Sequence, residues 1–281
     1  MKRRDHVLNS PELSWPLKRV NGMTKGILVA CDGPIATVLL NRPEQLNALD
    51  RSMWQSLGDI CEGLGREATL RCLILCGAGG RAFAAGADIN TFATERGDPE
   101  QAKVYDRTMR RALAIVRDHP YPVVAAIDGL CLGGGLALAA VADLRLCGKS
   151  SRFGVPVSRL GLPLPLPEIE VIMRLVGPAR MLEILLEAQI FGASEALAKG
   201  LVHRVVEDDM VGAEAIATAQ RIVDGAPLVN RWHRRFVRRL FDPRPIAAAE
   251  LDECYHFFDT EDYREGLTAF REKRLPVFKG R

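Results

Sequence analysis

Short apolar runs separated by glycine turns fill the first two thirds of this 281-residue chain, and apolar residues at helical spacing fill the rest. Residues 1–21 mix charges, two prolines and a tryptophan without a period, and read as a terminal extension or an arm packing on a neighbour. From Gly26 the run GILVACDGPIATVLLN predicts two strands around the turn Asp32-Gly33-Pro34, a hairpin signal. The polar segment NRPEQLNAL, Asn41 to Leu49, precedes an amphipathic helix to about Gly63, with Asp50 as its N-cap. Leu70 to Cys76 is a strand that enters a glycine-rich turn, Gly77 to Ile89. Thr91 to Arg117 reads as a mobile charged stretch followed by a helix, with Met109, Leu113 and Val116 on its apolar face.

Pro122 to Asp143 is the most organised stretch. Val123 to Ile127 is a buried strand, three glycines follow at 133–135, and Leu136 to Ala142 is helix-prone. Glycines there cost backbone entropy, so the chain needs their lack of side chains for tight turning or for a ligand held against the backbone. A helix that starts at such a turn aims free N–H groups and the positive end of its dipole at the site, which suits an anion or a carbonyl oxygen. Leu144 to Cys147 and Phe153 to Val155 are further strands. Three alternate prolines then stiffen LGLPLPLPEIE before a helix over Ile169 to Val176. Gly177-Pro178 breaks that helix from the next, Ala179 to Leu186. Val202 to Val206 is a strand, and Met210 to Arg281 is helical with breaks at Pro227 and Pro243. The outline is strand, strand, helix, repeated, with a helical tail.

Composition narrows the class. A 48% hydrophobic content supports a sizeable core, and no uncharged run near the glycines is long enough to span a membrane. The basic N-terminus lacks an apolar segment after it, so a cytoplasmic protein is expected. Seven cysteines without a CxxC pair read as free thiols. The five histidines are scattered, so no metal site is expected, and a net charge of +3 gives no case for nucleic acid.

Seven stretches, NRPEQLNAL, AFAAGADI, PVVAAIDGLCLGGG, FGVP, LVGPARMLEILL, ALAKGLVHRVV and TEDYREGLTAFREKRLPVFKGR, together resemble the crotonase superfamily, the enoyl-CoA hydratase/isomerase family. The resemblance runs from about Gly26 to the C-terminus. It implies an α/β fold, a crotonase-like spiral of ββα units with perpendicular sheets. It also implies an extension over residues 1–21, a core over 22–225, and a C-terminal helical trimerisation region over 226–281, assembled as a homotrimer or a dimer of trimers. The implied ligand is a CoA thioester, as substrate rather than as a resident cofactor. The implied oxyanion hole is made by the backbone N–H groups of Ala87 and Gly134, which fits the two glycine turns read above. Contacts to CoA would come from Glu44, Gln45 and Leu46, from Ala85, Asp88 and Ile89, and from Lys273 and Lys279 in the tail. Asp88 is expected to shape its loop rather than act as a base.

Hydratases of this family carry carboxylates at the positions of Ala137 and Val157, and neither residue here can transfer a proton. The family's glycine-rich PGxGG loop has become Leu164-Pro165-Leu166-Pro167-Glu168. Glu168 or Glu170 is then a candidate relocated base with a raised pKa; both equally suit the first turn of the next helix. Tyr105, Asp106 and Arg110 border the acyl pocket by resemblance but suit a solvated helix face. His119 reads as a turn residue. Cys131 stands in a G-x-nucleophile-x-G pattern and also fits a small core position. The basic run Arg231 to Arg239 reads as an amphipathic helix with a charged face. The sequence therefore supports an acyl-CoA-handling protein with an atypical active site, catalysing isomerisation, hydrolysis or decarboxylation rather than ordinary hydration, or else a non-catalytic acyl-CoA binder.

Overall fold

A computed structural model describes Trp15, Val20–Thr24 and residues 26–281. The expectation for residues 1–21 therefore lies mostly outside the described residues, apart from Trp15, which is buried in the chain's own core, and Val20 and Asn21, which belong to the first strand rather than to an extension.

Eleven strands form two sheets among these residues. Strands β1 (Val20–Thr24), β2 (Ile27–Asp32) and β3 (Ile35–Leu40) are antiparallel. β2 and β3 pair from Ile27 opposite Leu40 to Asp32 opposite Ile35, as the hairpin signal required. Helix α1 (Arg51–Leu64) follows, and then β4 (Cys72–Gly77) and β5 (Ala82–Ala84) lead to α2 (Phe92–Glu95) and α3 (Pro99–Arg117). β6 (Val123–Ile127) and β7 (Leu130–Leu132) lead to α4 (Gly134–Val141). β8 (Leu144–Gly148) and β9 (Arg152–Gly154) lead to α5 (Leu166–Glu187). In each unit the first strand joins a seven-stranded sheet, ordered β1-β2-β3-β4-β6-β8-β11, and the second joins a four-stranded sheet, ordered β10-β9-β7-β5. This is the spiral of ββα units that the sequence pattern outlined. β10 (Phe191–Gly192), α6 (Ala193–Ala198) and β11 (Arg204–Val206) close both sheets. Helices α7 (Val211–Val223), α8 (Pro227–Arg239), α9 (Ala248–Asp252) and α10 (Glu261–Glu272) complete the chain.

The unbroken apolar runs of β4 and β6 have a physical cause. Successive side chains alternate between two cores: Leu73, Leu75, Val123, Ala125 and Ile127 on one face, Cys72, Ile74, Cys76, Val124 and Ala126 on the other. The second core is closed by Val211, Ala215, Ala219 and Val223, four residues apart along α7. Six of the seven cysteines lie wholly or partly within these layers, and all seven are free thiols.

A side-chain cap fixes the start of the first helix. Asp50 Oδ1 accepts from Met53 N at 2.8 Å and from Ser52 Oγ at 2.7 Å, and Asp50 Oδ2 pairs with Arg42 at 3.2 Å. Asp50→Ala is expected to cost about 1 kcal/mol, read from the urea midpoint, in line with the loss of an N-cap side chain. Beyond Gly177, whose φ of 78° breaks α5 into two helical pieces, Pro178 opens the second piece at the expected place. The first piece begins earlier than the apolar spacing indicated. Pro165 is its N-cap and Pro167 lies in its first turn, so the proline run ends in helix rather than in loop.

In the tail, four of the five arginines of α8 are tied to carboxylates. Arg234 and Arg238 hold Asp143, Arg239 holds Glu250, and Arg235 holds Glu253. The basic run is thus a charged helix face anchored to acidic neighbours.

Candidate active site

A cavity of about 130 Å³ opens between the two glycine turns. It is lined by Ala85 to Ala87, Ile89, Phe92 and Arg96 from one side and by Leu132 to Gly134 from another. Tyr105 and Met109 on α3, Val157, the segment Leu162 to Pro165, and Glu168 complete the wall.

Backbone pairing determines which way the Ala87 amide points. Leu49 N donates to Gly86 O at 2.8 Å and Asp88 N donates to Leu49 O at 3.1 Å, so Leu49 uses the groups on either side of Ala87. Because extended backbone alternates its N–H directions, the Ala87 N–H faces away from Leu49. Among the described residues it has no backbone acceptor. Gly134 is the first residue of α4, so its N–H belongs to the unsatisfied first turn. Gly86 has φ of +100°, and a Cβ built on it would lie 3.7 Å from Gly134 N, which shows how closely the two turns approach. The same spacing depends on Gly135, whose added Cβ would fall 2.3 Å from Ala84 O. Gly133 has φ of +48° and ψ of −118°, a turn that L side chains rarely adopt.

The NRPEQLNAL segment buttresses this wall. Ala85 N donates to Leu46 O, and Asn47 Nδ2 donates to Ala78 O and Ala82 O. Arg42 pairs with Asp88 at 2.9 Å, while Asp88 Oδ1 accepts from Asn90 N. Asp88 is buried and wholly engaged in holding its loop. Glu44 and Gln45 are exposed in the short turn Pro43–Gln45, and Ile89 is exposed at the cavity rim. Lys273 and Lys279 belong to the end of α10 and the segment after it, outside the cavity lining.

Glu168 lies in the first turn of α5 and is only 3% exposed. Its carboxyl comes within 3.9 Å of a Cβ built on Gly134. Burial pushes its pKa up to about 7, against the opposing pull of the Arg96 guanidinium and with a smaller push from Asp106. Glu170 instead pairs with Arg174 at 2.6 Å on the surface, so of the two carboxylates left open by the sequence only Glu168 faces the cavity.

Tyr105 departs from the solvated-face expectation. It is 1% exposed, accepts from Trp54 Nε1 at 2.9 Å and donates to Leu49 O at 2.9 Å. The physical reason is its place on the same stripe as Met109, Ala112, Leu113 and Val116. Asp106 is half-buried and Arg110 exposed. Arg96, unremarked in the sequence, lies over the Tyr105 ring at 3.9 Å. Cys131 is fully buried on β7, and burial holds its thiol protonated well above the ordinary range, so it packs as a small core residue and presents no nucleophile. His119 is likewise buried, its pKa lowered to about 4 chiefly by burial, and it braces the turn through Tyr121 N.

A family profile described as enoyl-CoA hydratase/isomerase matches residues 31–281. The chain belongs to this family. Within the enoyl-CoA hydratase/isomerase family it is 32% identical over 260 residues to a short-chain-enoyl-CoA hydratase of Clostridium acetobutylicum, covering 91% of this chain and 98% of that protein. It is 30% identical over 276 residues to a probable mitochondrial enoyl-CoA hydratase 2 of Arabidopsis thaliana, covering 98% and 88% respectively. The crystal structure of an enoyl-CoA hydratase/carnithine racemase from Magnetospirillum magneticum shares 53% identity and superposes with a TM-score of 0.90, over 92% of this chain and 97% of that one. The fold described above is therefore the crotonase fold of this family. Ala137 is fully buried in the core and Val157 contributes an apolar patch to the cavity wall.

Proposed function

We propose that this chain binds a short acyl-CoA thioester, polarises its carbonyl with the amides of Ala87 and Gly134, and moves a proton with Glu168. The observation that carries the reading is the placement of one buried carboxyl, with a pKa raised to about 7, in the cavity that both free amides line. A group of that pKa is poised to accept and return a proton near neutrality. Ordinary hydration uses a second carboxylate, and Ala137 and Val157 supply none. A single base suits isomerisation instead. Glu168 takes a proton from C2 of a 3-enoyl thioester, the electron pair spreads onto the carbonyl oxygen between the two amides, and the same carboxyl returns the proton at C4. The double bond ends between C2 and C3, and no co-reactant is consumed. Each amide donor is worth roughly 3 kcal/mol of barrier by comparison with other oxyanion holes.

Around that centre, Glu44, Gln45, Leu46, Ala85, Asp88 and Ile89 are proposed to border the CoA moiety, with Lys273 and Lys279 approaching its phosphates. The residues from 226 onward are proposed as the assembly region of a homotrimer or dimer of trimers. Exposed Leu240, Phe241, Phe270 and Leu275 support that reading. Free, mostly buried thiols favour a reducing compartment such as the cytoplasm, although the Arabidopsis relative is described as mitochondrial. No helix among the described residues is long and apolar enough to cross a membrane.

The test is a panel of 2-enoyl, 3-enoyl and saturated acyl-CoA thioesters in D₂O, followed by mass spectrometry. Conversion of 3-enoyl to 2-enoyl thioester is expected, with deuterium entering at C4 to the extent that the carboxyl proton exchanges with solvent. Hydration of a 2-enoyl thioester with kcat of about 10 per second, an ordinary enzymatic value, would overturn the reading. Saturable binding with neither exchange nor turnover would leave a non-catalytic acyl-CoA binder.

A further inference from the structure

We propose that Arg96 is a specificity-determining residue that grips a carboxylate at the far end of the acyl group, so that the preferred ligands are short CoA thioesters of dicarboxylic acids. The inference rests on the acyl-CoA reading above.

Arg96 lines the same cavity as Ala87, Gly134 and Glu168. Its guanidinium carbon lies 3.9 Å from the centre of the Tyr105 ring and 5.2 Å from that of Phe92. What it lacks is an acceptor. Its nearest carboxylate, Asp106 Oδ1, lies 3.7 Å away, beyond hydrogen-bonding reach, and Nε is buried without any partner among the described residues. A buried guanidinium donor left unpaired is costly, and its planar fork matches a carboxylate with two parallel hydrogen bonds. Asp106 is itself partly exposed and offsets the charge at 3.7 Å from Nη2 without forming a hydrogen bond.

The platform under Arg96 is rigid and continuous with the oxyanion wall. Tyr105 is fixed by Trp54 and by Leu49 O, and Leu49 is the residue that orients the Ala87 amide. One end of a ligand held by the amides and the other held by Arg96 are thus separated by a set distance. A cavity of about 130 Å³ is small, which fits a short tail between the two ends. The carboxyl in the wall, Glu168, is kept largely protonated below neutrality by burial and would not repel an incoming carboxylate there.

The test compares two saturated thioesters of equal length, pentanoyl-CoA and 4-carboxybutanoyl-CoA, by calorimetry at pH 6.5 on the full chain. The carboxylated thioester is expected to bind at least about tenfold more tightly, and Arg96→Met to bring the ratio near one. Arg96→Lys, which keeps the charge and loses the fork, should give an intermediate ratio. If the wild-type chain binds pentanoyl-CoA as well as its carboxylated partner, or if the preference persists in Arg96→Met, the role of Arg96 is overturned and acyl-CoA binding stands. If neither thioester binds, the acyl-CoA reading falls and takes this inference with it.

Discussion

Glu168→Gln will lower turnover by about 10²–10⁴-fold and, at the same time, make the folded chain more stable above neutral pH. Both effects come from one fact, a carboxyl whose folded-state pKa is about 7 against an ordinary value of 4.5. Between those two pH values the folded chain holds a proton that the unfolded chain releases, so stability falls as pH rises through the interval. At pH 8 the full penalty applies. A shift of this size corresponds to about 3 kcal/mol, and near pH 4.5 most of it disappears. Glutamine keeps the shape and never ionises, so it removes the penalty. Urea titrations at pH 4.5, 6 and 8 should therefore show the variant gaining on the wild type as pH rises. In the wild type, kcat/KM should climb towards a plateau above about pH 7, as the carboxylate form becomes dominant. The groups that act on Glu168 are Arg96, which favours its ionised form, and Asp106, which opposes it. A variant with unchanged kinetics, or with a stability difference that does not vary with pH, would remove Glu168 from the proton-transfer role.

That conflict between stability and ionisation is also why Glu168 was only half visible in the sequence. The two carboxylates of LPEIE lie two residues apart, so on a helix they point to different sides. The deciding signal was present: Glu168, Ile172 and Val176 are four residues apart and all buried, whereas Glu170 is off that stripe. Read by spacing alone, position 168 belongs to the apolar face, and a carboxyl there is either a fault or a function. Tyr105 carried a similar signal, four residues before Met109 and seven before Ala112. The strands and the glycine turns were legible because backbone constraints act locally: a buried strand must be apolar throughout, and a tight turn must use glycine. Arg96 was not legible. It sits among charged residues at the end of a four-residue helix, and only the tertiary packing of Tyr105 beneath it distinguishes it from a solvated arginine.

Gly135→Ala is expected to damage both the packing of α4 and the site it opens. The added methyl would lie 2.3 Å from Ala84 O and 2.8 Å from Ala84 Cβ, with backbone rather than a flexible side-chain end in the way. Ala84 ends β5 and feeds directly into Ala85 to Ala87, so the clash can be relieved only by moving the first turn of α4 away from that strand. Overpacking of this kind costs about 1–3 kcal/mol. Its functional cost is larger, because Gly134 N and Ala87 N lie on the two elements that are forced apart. Two donors that no longer converge on one oxygen are equivalent to losing one of them, about 10²–10³ in kcat. Binding should suffer less than turnover, since the CoA contacts proposed outside the cavity do not depend on this spacing. Calorimetry with a saturated acyl-CoA, kinetics on the 3-enoyl thioester and urea unfolding of the same preparation separate the three effects. If Gly135→Ala retains turnover within about threefold of wild type while its stability falls as expected, the two amides do not share an oxyanion, and the carbonyl must be polarised by something other than the convergence of β5 and α4.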